Sequence, residues 1–593
     1  MRLILHREIP EDDGALRRQW NELVFQMERP EVFYTYEWAL AVQRAYSSSM
    51  LPLMMLAYES DSLVGVAVLA TGVTRAGAFF LAASTADYCD FVCSPGRRNE
   101  FIQVVLAELR KLGMRMLTLA NIPADSATAR GLHAAARNQG YYHFARPAYS
   151  CARVLMGSSQ QRQEIKQSML PRRKIRRYLQ AMQKQGPVTL SHLKNWESID
   201  EALTCFTTAH VARFLILGCV SNLASPARRH FLSQLARLLS DSGWIVLTRL
   251  MIAEQPVAWN YGFQFCGSWF WYQPTFDSRL EEFSPGFCLL SKIVSEACDN
   301  PEISVVDMGL GAEGYKKRLA TSSRQSLHVT LTTSLGRHVH GVTRHRLSTA
   351  AKASPGIEHG IRSVVSRIVP IRQSLRVSGI SRFAACVAKF VWAKLFGCEE
   401  VLFYEWCESG NLNLHQKLSR DVALKNIDLE LLAAATMHYV DDRETLDYLL
   451  LCVKRVRPGD AQGFALVTDE GVPLQFCWAS PFEEFHIAAL NMKLTAPSPH
   501  AVMLFEFWTP VSRRGRGYYE MTAQLVAEQF RRRGKSIWTF SVASSLSSVR
   551  GVEKSGFQRC YSLIRRNILL WHSMSKRTYA VVPIAATEVS VAS

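Results

Sequence analysis

From Gly336 to Gly397 arginines and lysines recur (Arg337, Arg344, Arg362, Arg367, Arg372, Arg376 and Lys389 among them) against a single acid, Glu358, and Pro355 and Pro370 break the run. A stretch of one charge sign with proline punctuation offers no continuous apolar face, so it reads as a basic linker. Its last part, SRFAACVAKFVWAKLFG, also reads as a short amphipathic helix suited to an acidic partner or membrane surface. The linker separates αβ regions on either side. At 593 residues the chain is in any case too long for one hydrophobic core.

Composition excludes the fibrous and disordered classes: 48% of residues are hydrophobic and 20% are charged, as in ordinary globular proteins. The formal charge of +18 favours anionic partners, a set that includes RNA, phosphorylated cofactors and acidic lipid headgroups. The 14 cysteines are scattered. Cys89 and Cys93 form the closest pair, with no second pair or histidine cluster downstream to complete a zinc site, so no metal is expected. They read as reduced thiols of a cytoplasmic protein. No window reaches the roughly 18 uninterrupted apolar residues of a membrane-spanning helix, and the amino terminus lacks the apolar core of a secretory signal. The expectation is a soluble protein, at most peripheral at the inner membrane surface.

Periodicity places αβ modules along the chain. The first, residues 1–150, pairs the strand runs LPLMMLAYES and SLVGVAVLA with a helical EFIQVVLAELRKLG. The second, 151–335, opens on the basic amphipathic helix QSMLPRRKIRRYLQAMQKQG and continues through WIVLTRLMIAEQPVAWNYGFQF and SWFWYQPTF to a helix GFCLLSKIVSEACDN. After the linker, 336–397, a third module occupies 398–580, and residues 581–593 form a tail.

Within the third module, RRGRGYY lies between a strand ending at Trp508 and a helix starting near Tyr518. Glycines let successive backbone N–H groups converge without Cβ obstruction, and a helix N-terminus adds about half a positive charge. Arg514, Gly515, Arg516, Gly517 and Tyr518 are thus candidates to hold a pyrophosphate. An exposed basic turn without a ligand is the alternative. The order strand, glycine-arginine turn, helix, strand, then SLSSVRGVEKSGF, resembles the GNAT family of acetyl-coenzyme A dependent N-acetyltransferases. Arg514, Gly517, Ser548, Glu553, Lys554, Gly556 and Phe557 match its motifs. Tyr519 stands where glycine or alanine is usual, Ser545 where asparagine is usual, and Val552 where a tyrosine acid is common. Glu506, on the preceding strand, is the candidate base of this module, and a salt-bridged strand acid is its plain alternative.

Residues 1–335 resemble the CelD/BcsL-type acetyltransferases, GNAT-fold proteins associated with bacterial cellulose and exopolysaccharide production and related in architecture to the Fem aminoacyltransferases. The resemblance rests on Tyr272-Gln273, Phe276-Asp277, Ser284-Pro285-Gly286, Asp307-Met308-Gly309 and Glu313-Gly314-Tyr315-Lys316. His210 and Arg213 in FTTAHVARF, and Asp87, Tyr88 and Asp90 in TADYCDFVCSPG, also fit. Ser284 and Gly286 flank a proline at a helix start, the positional counterpart of the glycine-arginine turn. Glu313, Tyr315 and Lys316 supply an acid, a phenol and an ammonium for proton transfer, with Tyr315 and Glu313 the catalytic candidates. His210, Arg213, Tyr272, Asp307 and Lys316 are candidates for substrate binding, while a surface pair, a strand cap or a core aromatic describes several of them equally well.

The resulting expectation is an α/β (α+β) protein of GNAT-fold modules, a Fem-like tandem pair plus a third C-terminal GNAT domain. The implied activity is transfer of an acyl group from acetyl-CoA to an amine on a sugar, envelope or exopolysaccharide precursor, or small metabolite. A transferase using aminoacyl-tRNA and a non-catalytic scaffold are the competing readings; an anionic membrane surface or tRNA is the further partner class, and oligomeric state is left open.

Overall fold

A computed structural model describes residues 1–72, 77–169, 173–311, 314–352, 397–407, 422–456, 461–568 and 571–579. The chain divides into two units, one made of Met1–Arg213 with Ser221–Ser354 and one made of the remaining residues. Glu313 and the linker run FVWAKLF lie outside the described residues.

The first unit is built on one mixed sheet of 13 strands. Seven come from the amino-terminal part: β1 (Arg2–His6), β2 (Met50–Glu59), β3 (Ser62–Gly72), β4 (Ala78–Phe80), β5 (Val92–Cys93), β6 (Met116–Pro123) and β7 (Tyr142–Leu155). Six follow: β8 (Val188–Leu193), β9 (Ile245–Ile252), β10 (Gln255–Phe265), β11 (Ser268–Phe276), β12 (Val305–Asp307) and β13 (Ser322–Thr332). Their order is β1-β2-β3-β4-β6-β13-β7-β12-β11-β10-β9-β8, with β5 on β3. Thus β13, last in sequence, lies antiparallel between β6 and β7. The two halves share a hydrogen-bonded sheet, and the 150/151 boundary expected from sequence falls inside β7.

Ten helices are described in this unit: α1 (Gly14–Gln26), α2 (Tyr36–Tyr46), α3 (Arg98–Lys111), α4 (Ala127–Asn138), α5 (Ser159–Glu164), α6 (Arg173–Gln183), α7 (Trp196–Ile216), α8 (Pro226–Ser240), α9 (Pro285–Asp299) and α10 (Leu335–Lys352). The start of the expected linker is therefore helical. Proline at the first position of α9 costs no hydrogen bond, because that N–H has no intrahelical partner. Leu289, Leu290, Ile293 and Val294 of α9 pack on Val246, Leu250, Trp269 and Trp271 of the sheet, and the Tyr178 and Leu179 side chains of α6 close the same cluster. Each fully buried aliphatic side chain there contributes about 1.5–3 kcal/mol. This core fixes the N-terminus of α9 against the end of β11.

The second unit holds an eight-stranded sheet. Its strands include β14 (Cys398–Trp406), β15 (Val422–Asn426), β16 (Gln462–Thr468) and β17 (Pro473–Pro481), with the small pair β18 (Phe485–Ile487) and β19 (Met492–Leu494) outside the sheet. They are followed by β20 (Ala501–Trp508), β21 (Ser536–Val542), β22 (Phe557–Ile568) and β23 (Trp571–Thr578). The helix Tyr518–Arg531 follows β20 and buries Ala523, Val526, Ala527 and Phe530 in the core.

Candidate active site

In the first unit β11 and β12 run parallel but pair only over Ser268–Phe270 with Val305–Asp307. Beyond Phe270, β11 continues to Phe276 on its other neighbour, β10, while β12 has ended. The pairing with β10 shifts register between Tyr261 and Phe263, placing an extra residue of β11 at Trp271–Tyr272. A bulge of this kind re-aims side chains and frees backbone groups. The two strands therefore part at Asp307, leaving one edge of Trp271–Phe276 without a strand partner.

Buried polar groups gather at the fork. The Asp307 carboxylate accepts from the backbone N–H of Gly309 and from the Tyr88 hydroxyl, each at 2.9 Å. Burial pushes its pKa up against those two hydrogen bonds. Asp87 comes from the amino-terminal half and is 8% exposed. Burial, reinforced by the neighbouring Asp307 charge, pushes its pKa up to about 7 against the pull of Lys316 and Arg228. Gly309 makes the approach possible: its φ is +69°, and a Cβ there would lie 2.6 Å from Asp87 Oδ2 and 3.2 Å from the Trp271 carbonyl oxygen. Lys316, also buried, donates from Nζ to the Leu310 carbonyl at 2.9 Å. The Tyr315 hydroxyl accepts from Trp271 Nε1 at 3.3 Å, and its ring stands edge-on to Phe287 of α9.

Along the outer part of β11 the Tyr272 hydroxyl donates to the Thr85 carbonyl and accepts from Arg228 Nη2 at 2.8 Å. His210 of α7 is buried with Nδ1 2.8 Å from Ser221 Oγ. Burial, with Arg213 and Arg228 nearby, drives its pKa down to about 3, so the imidazole is neutral. Arg213 donates to the Pro274 carbonyl at 3.3 Å and lies over the Phe276 ring at 4.5 Å. Tyr272, His210, Arg213, Asp307, Tyr315 and Lys316, spread over more than a hundred residues of sequence, are thus all held along β11 or about the C-terminal end of β12.

At the far end of β11, Ser284 takes a left-handed conformation, φ +46°, just before Pro285. A Cβ on Gly286 would lie 3.1 Å from Phe276 Cδ1, so the glycine lets the first turn of α9 sit directly on the strand end. The exposed Arg173, Lys174, Arg176 and Arg177 of α6 extend this end, since α6 packs through Tyr178 and Leu179 on the α9 core.

In the second unit β20 and β21 also pair in parallel over a short stretch, Ala501–Leu504 with Ser536–Thr539, and then diverge. β20 carries an extra residue opposite β17 between Phe505 and Trp508, and Glu506 there has φ +49°. Its carboxylate is held by both terminal nitrogens of Arg455, Nη2 to Oε1 at 2.5 Å. The candidate base of this module is therefore a bidentate salt-bridged acid. Gly515 and Gly517, both at φ +77°, face open space ahead of Tyr518, the first residue of the helix. Arg514 donates to the Thr509 carbonyl and to Glu444, each at 3.2 Å, and stacks over Trp508, whereas Arg516 is exposed. The Tyr519 ring packs on Phe507 at 4.5 Å, and Val552 is buried.

Sequence reasoning does not reach Arg228 and gives Asp87 no place in the site. In SPARRHF nothing separates Arg228, which reaches Tyr272, from Arg229, which caps the Leu223 and Ala224 carbonyls of the preceding turn. For Asp87 the only local signal is an acid flanked by residues that are themselves buried, Ala86 and Tyr88.

Residues 171–317 match the family model described as an acetyltransferase (GNAT) domain. No curated protein matches the chain. Similar solved structures include FemX, at 9% identity and TM-score 0.40, covering 58% of this chain and 99% of that one. The L-PGS structure from Bacillus licheniformis is similar at 11% identity and TM-score 0.38, covering 57% and 98%. A tandem GNAT protein from the clavulanic acid biosynthesis pathway aligns at 12% identity and TM-score 0.34, covering 55% and 98%. The α6 helix, the forked β11–β12 pair and α9 all lie inside the matched segment, and the first unit carries a GNAT-type α/β fold.

Proposed function

We propose that the first unit transfers an acyl group from a coenzyme A thioester to an amine on a sugar, envelope or exopolysaccharide precursor, or a small metabolite. The observation that carries the reading is the fork: a parallel pair that parts at Asp307, with the N-terminus of α9 at the open end of β11 and acid-base groups at its foot. The edge of Trp271–Phe276 that has no strand partner hydrogen-bonds an extended amide-bearing arm. The first turn of α9, with Ser284 and Gly286, receives the pyrophosphate, and the basic face of α6 supplies cationic donors. Tyr315 protonates the departing thiolate. Neutral His210, Arg213 and Tyr272 line the acceptor side, and Lys316 holds the Leu310 carbonyl.

Calorimetric titration of the full chain with acetyl-CoA tests this reading. Binding that is lost in Gly286→Val supports it, and absence of binding in the unsubstituted chain refutes it. The charge of +18 favours a second reading, an aminoacyl-tRNA donor. Salt-sensitive tRNA binding without affinity for coenzyme A would select that donor instead.

A further inference from the structure

We propose that Asp87 is the general base of the reaction, taking the proton from the acceptor nitrogen at the fork between β11 and β12. The inference rests on the acyl-transfer reading and names a group supplied by the other half of the unit.

Three observations converge on this carboxylate. It is buried, yet no donor among the described residues hydrogen-bonds it; Asp307, by contrast, holds two hydrogen bonds. A buried carboxylate without hydrogen bonds is costly for a fold to keep. Next, its Oδ2 stands against Gly309 just beyond the end of β12, where a Cβ on that residue would lie 2.6 Å from it and 3.2 Å from the Trp271 carbonyl oxygen. Finally, its charged neighbours come from four separate segments: Asp307 from β12, Lys316 from the turn after it, Arg228 from α8 and Glu31 from the turn before α2. Tyr272, Cys89 and Cys151 also feel its charge. With burial opposing ionisation and two cations partly restoring it, the group is poised near neutrality, where a base works most efficiently.

The step balances without another reactant. The neutral amine attacks the thioester carbonyl carbon; the C–N bond forms, the N–H proton passes to the Asp87 carboxylate, and the C–S bond breaks. The thiolate takes a proton from the Tyr315 phenol, and the proton on Asp87 returns through solvent to the phenolate. An amine and a thioester become an amide and a thiol, with all groups reset. Because Asp87 lies in the amino-terminal half and Asp307, Tyr315 and α9 in the other, neither half holds the complete centre.

The test uses the full chain, acetyl-CoA, glucosamine as the amine probe, and thiol release followed from pH 5 to 9. In Asp87→Asn, coenzyme binding by calorimetry stays within twofold, turnover falls about 10²-fold or more, and the acidic limb of the pH profile disappears. In Asp307→Asn the limb moves to lower pH, because removing the adjacent like charge eases ionisation of Asp87. Retained turnover with an unchanged limb in Asp87→Asn overturns the assignment, as does an unmoved limb in a folded Asp307→Asn. Absence of thiol release from the unsubstituted chain, with coenzyme bound, defeats Asp87 as base for amine transfer while leaving the binding reading intact. Absence of coenzyme binding defeats the reading itself.

Discussion

The two strand-to-helix turns of this protein are built in opposite ways around the same backbone grammar. Both follow a strand that pairs in parallel for three or four residues and then parts from its neighbour. Both strands carry an extra residue where they part. In the first unit the bulge presents Trp271 and Tyr272, and the fork holds Asp307, Asp87 and Lys316 in a buried cluster. In the second the corresponding bulge presents Glu506, which Arg455 holds in a bidentate pair, while Tyr519 and Val552 fill the space nearby with apolar packing. The glycines are also used differently: Gly286 seats a helix on Phe276, whereas Gly515 and Gly517 leave their turn open. A phosphate-binding turn needs only backbone geometry, but acid-base chemistry needs charges whose burial has been balanced. Those two requirements separate between the units.

The comparison breaks most sharply at Gly309. Gly309→Val puts a branched side chain on a left-handed backbone and into Asp87, so loss of most turnover is expected together with a stability cost of at least about 1–3 kcal/mol. Thermal unfolding and thiol release measure the two effects separately.

Next in size is the phenol. Tyr315→Phe keeps the ring against Phe287 but removes the proton donor and the acceptor for Trp271 Nε1, and should cost about 10²-fold in turnover with coenzyme affinity unchanged. Equal rates would remove Tyr315 from the chemistry.

A third expectation concerns acid stability. The folded Asp87 pKa, about 7, lies above the ordinary carboxylate value, so between pH 4 and 7 the folded state keeps a proton that the unfolded chain has released. The unfolded state binds fewer protons in that window, and stability therefore falls as pH rises, with a slope of up to about 1.4 kcal/mol per pH unit from this group. Denaturant titrations at pH 5 and 7 should show a smaller difference in Asp87→Asn than in the unsubstituted chain; an equal difference would mean the carboxyl titrates normally.

The smallest effect belongs to the second unit. The Arg455–Glu506 pair is partly exposed, its side chains 30% and 42% accessible, so Arg455→Ala should change stability by no more than about 1 kcal/mol. Turnover should not change. A large loss of activity would return Glu506 to the chemistry.

Local order was readable in the sequence where local rules govern it. The turn ahead of Tyr518, the proline-started helix at Pro285 and the strands around Trp508 and Phe276 follow from glycine, proline and aromatic spacing. The insertion of β13 between β6 and β7 was not readable, because strand order depends on pairing between residues far apart in the chain. Nor was the state of the acids. Glu506 is paired with an arginine on a helix distant in sequence, and Asp87 is approached by a glycine just past the end of β12, neither of which leaves a mark at positions 506 or 87. In sequence Ser284 and Gly286 offer phosphate approach; the structure adds a packing requirement at Gly286, set by Phe276.

The central claim is the proposal that the first unit performs the transfer and the second, with its open glycine turn, does not. It is tested most directly by thiol release from acetyl-CoA with glucosamine in three full-length proteins: unsubstituted, Gly286→Val and Gly517→Val. The account predicts that Gly286→Val abolishes turnover and that Gly517→Val retains most of it. Loss in Gly517→Val with retention in Gly286→Val would contradict it.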